Sequence, residues 1–174
     1  MTQGTAESVF LDYSIRKLRQ YTGRIRECVS LLSDDQIWFR GHDNANAIGN
    51  LLMHLAGNVR QWIVSAIGGR PEVRERDREF AARGDALSAE LLGRLEARID
   101  EAASVIASLP PERLLSTITV QGYSLTTLEA VYHVVEHFSQ HTGQIIFACK
   151  MMTGKDLAFY SHLSGRSSAG GQTP

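Results

Sequence analysis

Residues 126–154 read TTLEAVYHVVEHFSQHTGQIIFACKMMTG. Thr126 with Glu129 three positions on forms a capping box, and no proline occurs between Thr127 and Gly154. The stretch therefore predicts one helix from Thr126 to about Met152, stopped by Gly154. Its apolar residues Val131, Val134, Phe138, Ile145 and Cys149 fall on one side. Tyr132, Glu136, Ser139 and Lys150 fall on the other. A long amphipathic helix of this kind needs partners of similar length to cover its apolar stripe.

The rest of the chain supplies three. Over residues 88–109, Leu92, Leu95, Ile99, Ala102 and Ile106 step by three and four, a bundle seam that opens at Ser88 and closes at Pro110 and Pro111. Residues 46–67 carry Ile48, Leu51, Leu52, Leu55, Val59, Trp62 and Ile63, with Asn46 as N-cap and Gly68-Gly69 as the stop. Over residues 7–32, Leu11, Leu18, Ile25 and Leu32 recur every seven positions, and Ser33-Asp34-Asp35 ends the helix. The expected fold is all-α: a four-helix bundle in one domain, residues 1–163, with a long crossover between the second and third helices. Residues 164–174, rich in Ser and Gly, are expected to form a disordered tail. Residues 117–123 alternate polar and apolar around Gln121-Gly122 and read as briefly extended.

Residues 70–85 differ in kind. Arg70, Arg74, Arg76, Arg78 and Arg83 alternate with Glu72, Glu75, Asp77, Glu79 and Asp85. Balanced, mixed charge reads as a solvated crossover with a helical turn around Phe80, not as an anion-binding patch. The whole chain is just as balanced. Eighteen basic and nineteen acidic residues in 174 give a net charge of -1, without the basic excess of a nucleic-acid binder. Two cysteines, Cys28 and Cys149, both on apolar seams, argue against a disulfide scaffold. No segment approaches a membrane span, and residues 1–7 lack the basic and apolar regions of a secretory leader. The expected setting is the cytoplasm.

Chemistry concentrates in histidine. His133, His137 and His141 succeed one another at four-residue steps, so successive rings lie one turn apart on one helix face. At about 100° per residue, His137 and His141 border the apolar side and His133 leans toward solvent. His137 and His141 thus form the better inward-facing clamp, and a third ligand must come from another helix. His54 is the histidine within residues 46–67, at the edge of that apolar stripe, on a face continued by Asn58 and Gln61. Two other metal patterns, of a peptidase and of a di-iron bundle, fail. His133-Val-Val-Glu136-His137 matches H-x-x-E-H, but Asp156 is the one acidic side chain downstream of it. A di-iron bundle needs Glu-x-x-His on two helices, whereas Glu129 is followed at that spacing by Tyr132 and Glu136 by Ser139.

Asn50-Leu-Leu-Met-His54-Leu-Ala-Gly-Asn58, with Val135-Glu-His137-Phe-Ser-Gln-His141-Thr-Gly-Gln144-Ile, resembles the DinB superfamily. These are bacterial four-helix proteins often described as metal-dependent hydrolases of the DinB/YfiT type. The likeness covers about residues 9–163, and Arg76-Asp-Arg-Glu-Phe80 and Asp156-Leu-Ala-Phe-Tyr160 are similar to one uncharacterised branch. The resemblance implies a homodimer with a divalent transition metal, zinc or nickel with iron or manganese as alternatives, held by His54, His137 and His141. It also implies a small-molecule substrate, since some relatives transfer low-molecular-weight thiols and one isomerises maleylpyruvate. Gln144, Asn58 and Glu136 are candidate supports for the ligands. The leading expectation is a metal-dependent thiol S-transferase or hydrolase; the competing one is a non-catalytic metal- or ligand-binding stress or interaction protein.

Overall fold

A computed structural model of the chain describes residues 4–163. The tail expected over residues 164–174 lies outside the described residues. The protein is mostly helical. Helix α1 spans Ala6–Val29, α2 Asp34–Ile37, α3 Ile48–Val59, α4 Arg76–Ala81, α5 Ser88–Ala107 and α6 Thr127–Thr153. Strands β1, Thr117–Val120, and β2, Tyr123–Thr126, form an antiparallel hairpin. Its turn uses Gln121 and Gly122, both at positive φ (53° and 82°), as a two-residue hairpin turn demands.

Helix α1 packs on α5 and α6, and α3 packs on the same two helices from the other side. The core between them holds Leu18, Ile25, Leu52, Leu55, Leu95, Ile106, Phe138 and Ile145, all almost wholly buried. Among the described residues, no helix is long and apolar enough to cross a membrane.

Helix α6 starts and stops as its sequence predicts: the Thr126–Glu129 capping box is made, and Gly154 ends the helix at φ 66°. Elsewhere tertiary contacts shift the expected boundaries. Asn46 is exposed and does not cap α3. Ala47 is the N-cap residue, and its N–H is taken by the side-chain oxygen of Asn50 at 3.0 Å. Asn50 is fully buried and donates from Nδ2 to the carbonyls of Glu79 (2.8 Å) and Ala82 (3.1 Å), so the start of α3 is set by the crossover. Ser88 is likewise not a cap, because Leu87 holds that position and the Ser88 N–H goes to Asp34. On α5, Leu91 rather than Leu92 enters the core. Helix α1 ends three residues early because Ser33 opens α2 with its own capping box to Gln36.

The second helix does reach Ile67, but Arg60–Ile67 is a π-helix. Its wider turn closes on hydrogen bonds such as Gly68 N–H to the Ile63 carbonyl, 2.9 Å. Trp62, Ile63, Val64 and Ser65 are buried in succession, because this segment packs against α5, α6 and β1 together.

Candidate metal centre

Helices α3 and α6 run antiparallel across one another. His54, near the middle of α3, meets His137 and His141, while Trp62, two turns further on, meets His133. His54 Nε2 is 3.0 Å from His137 Nε2, and His141 Nε2 is 3.1 Å from the same atom. One ligand atom from each of the three rings lies within 4.8 Å of the others. Nitrogens bound at ~2.0–2.1 Å to one ion, at tetrahedral or octahedral angles, sit about 2.9–3.4 Å apart. The group can hold a metal ion.

The far side of the rings supports that reading. His54 Nδ1 lies 3.1 Å from Glu79 Oε2. Nδ1 also lies 3.1 Å from Arg74 Nη2, so it faces one group that only accepts and one that only donates; with Nδ1–H given to the carboxylate, the Nε2 lone pair points at the cluster. Glu79 is held by Arg74, whose Nε and Nη2 reach its two oxygens at 2.7 Å each. The Arg74 and Glu79 side chains are 3% and 8% exposed, an almost dry ion pair behind the ligand. Burial alone would raise the Glu79 carboxyl; the hydrogen bonds and charges of Arg74 and His54 outweigh it and hold it below the usual range. Arg74 Nη1 continues to Gln61 Oε1 (2.9 Å), which also accepts from Gln121 at the hairpin turn. His141 Nδ1 donates to Gln144 Oε1 at 2.7 Å, so its Nε2 is likewise free to bind.

Proton affinity is low at His137 and His141. His137 is pushed down to about 3, by burial first and then by His141, His54, His133 and Arg74 around it. Burial also lowers His141, partly offset by the Gln144 hydrogen bond. Neutral imidazoles are the metal-binding form.

The three histidines expected to act together do come together, and Gln144 supports one of them. Glu136 is exposed, and the His133 ring lies tilted against Trp62, with centroids 4.2 Å apart, so the H-x-x-E-H pattern does not assemble. His42 is exposed in the loop before α3. The crossover, expected to be solvated throughout, is corrected at Arg74 and Glu79, which turn inward. The charge alternation of residues 70–85 hides them. The one local signal is Gly57, one turn beyond Met53 on α3: a Cβ there would overlap Glu79 Oε1 and press on Arg74 Nε. Phe80, next to Glu79, packs on the His54 ring at 4.8 Å, and Arg40 ties the end of α4 down through the carbonyls of Phe80 and Ala82.

The chain matches, over residues 5–166, the model of a family described as protein of unknown function, DUF1572. No curated protein matches it. Among solved structures it is similar to a conserved protein from Enterococcus faecalis, at 15% identity and a TM-score of 0.68, over 83% of this chain and 97% of that one. At that identity the likeness concerns the fold alone.

Proposed function

The chain belongs to the DUF1572 family, and from that premise we propose that it is a DinB-like metal protein acting on a small molecule. In this reading the long helices are a four-helix bundle, and residues 68–87 are the crossover between its second and third members. The metal is zinc or nickel, which suit a neutral imidazole set. The observation that carries the proposal is the convergence of three Nε2 atoms from His54, His137 and His141. A divalent ion held by three neutral ligands supplies a Lewis acid that acidifies a coordinated water or thiol, which suits hydrolysis or thiol transfer.

The chain's own residues divide the remaining work. Glu79 fixes the His54 tautomer and, as an anion, makes that ring a stronger donor. Arg74 keeps Glu79 ionised. Gln144 orients His141. Trp62, His133 and Tyr123 form an aromatic wall beside the cluster, against which an organic substrate can pack.

Elemental analysis of protein purified without a nickel column tests the metal. About one equivalent per chain is expected for a three-histidine site, with most of it lost in His137→Ala and retained in His133→Ala. Well under half an equivalent of any transition metal in the wild type overturns the proposal. Metal-loaded protein is then assayed with several low-molecular-weight thiols plus an electrophile, and with activated esters. Turnover of either supports an enzyme; metal without turnover of both leaves the non-catalytic binder.

A further inference from the structure

Two of the three histidines have a partner for the nitrogen that faces away from the cluster. The third does not. His137 Nδ1 is buried and bonded to nothing among the described residues. A ring that ligates through Nε2 carries its hydrogen on Nδ1, and a buried N–H without an acceptor costs about 1–3 kcal/mol.

The facing helix holds an acceptor in the same condition. Asn58 is 4% exposed, and its side-chain Oδ1 is buried without a partner among the described residues. Because α3 and α6 are antiparallel, the level of Asn58 on α6 can be read from its neighbours. His54, one turn before it, meets His137 and His141; Trp62, one turn after it, meets His133. Asn58 therefore stands between the levels of His137 and His133, on the face that α3 turns to α6. The other candidates are excluded by chemistry. Trp62 Nε1, also buried and unbonded among the described residues, is a donor only. Gln61 Oε1 already accepts from Arg74 and Gln121.

We infer that Asn58 is the positioning residue for His137, its side-chain oxygen accepting the Nδ1–H directly or across one water. Each ligand then has its own oxygen behind it: a carboxylate for His54, a glutamine carbonyl for His141 and an asparagine carbonyl for His137. The inference rests on the metal reading proposed above.

The test uses the full chain and zinc as probe. Zinc affinity is measured by competition with a chromophoric chelator for wild type, Asn58→Leu and Asn58→Asp, and the imidazole nitrogens are followed by 15N NMR in the loaded proteins. Loss of an oxygen behind a metal-bound histidine lowers affinity about 10–100-fold. That loss is expected in Asn58→Leu, together with a shifted His137 Nδ1 resonance, and Asn58→Asp is expected to restore both. Circular dichroism melting of the metal-free variants separates this from misfolding, and Asn58→Ala, which adds no bulk, decides if Asn58→Leu does not fold. Affinity within about twofold of wild type with an unmoved His137 signal, or an Asn58→Asp as weak as Asn58→Leu, overturns the inference while leaving the metal site standing. A wild type that takes up no zinc overturns the metal reading and this inference with it.

Discussion

His54 and His141 both present Nε2 to His137, yet the ground behind them is different. Behind His54 stands a buried carboxylate, clamped by a buried guanidinium five residues before it, and the crossover brings both. Behind His141 stands a neutral amide three residues along the same helix, on the exposed side of α6. The first support is charged, dry and tertiary; the second is neutral, wet and local. A charge-assisted hydrogen bond between buried groups is roughly twice as strong as a neutral one, and its loss strands the surviving partner out of water. A local bond at the surface is replaced by solvent at little cost. The two sides should therefore fail in different ways.

The sharpest break comes from Glu79→Ala. It leaves Arg74 buried without its counter-ion, and removing one member of a buried pair costs about 3–5 kcal/mol. Urea denaturation should show that loss, and zinc titration a weakened site. Equal stability in variant and wild type would mean that the pair is solvated and the contrast false.

Gly57→Ala attacks the same pair by volume alone. The new methyl group overlaps Glu79 Oε1, so the carboxylate must withdraw from His54 or the crossover must lift. Overpacking of this kind costs about 1–3 kcal/mol. Hydrogen exchange at residues 72–82 should quicken in this variant; unchanged exchange would show that the crossover absorbs the methyl without moving.

Gln144→Ala probes the wet side. Stability should stay within about 0.5 kcal/mol of wild type, as for other exposed positions. Zinc affinity should fall by about tenfold, the low end for a lost ligand support. A stability loss matching that of Glu79→Ala would erase the distinction between the two sides.

Mild acid gives the smallest effect. In the metal-free chain His137 is depressed to about 3, from an ordinary value of 6.5. Below 6.5 the unfolded chain takes up a proton that the folded chain refuses, so stability is full above about 6.5 and declines as the pH falls toward 3. Between pH 7 and 6 the melting temperature should drop only slightly, then more steeply below. A melting temperature that rises on acidification would place the protonated ring in the native state.

The contrast also explains which parts of the site are legible in the sequence. His137, His141 and Gln144 lie within one helical repeat, and periodicity alone aligns them. His54 stands out as the histidine on a second amphipathic segment. Glu79 and Arg74 are hidden because their burial depends on where a loop crosses a glycine, and nothing in an alternating charge run distinguishes the inward pair from its outward neighbours. The same cause displaces the cap of α3. Asn46 satisfies the local rule, but Asn50, bonded to the crossover, settles the geometry. The exchange of Leu91 for Leu92 on α5 is a smaller case, confined to the first turn, since Leu95, Ile99, Ala102 and Ile106 keep their places on the seam.

The π-helical stretch Arg60–Ile67 has a consequence in phase. A turn that holds an extra residue advances the chain by about 100° relative to an α-helix of the same rise. Upstream of it, His54 and Asn58 are aimed at α6; within it, Ile63, Val64 and Ile67 are buried in the core. The segment sets the last eight residues of the rod out of phase with the twelve before them. Deleting a single residue there would restore a uniform helix, and that helix could keep the aim of only one part. Chains with one residue fewer in this stretch should carry either the polar face toward α6 or the apolar face toward the core, and not both.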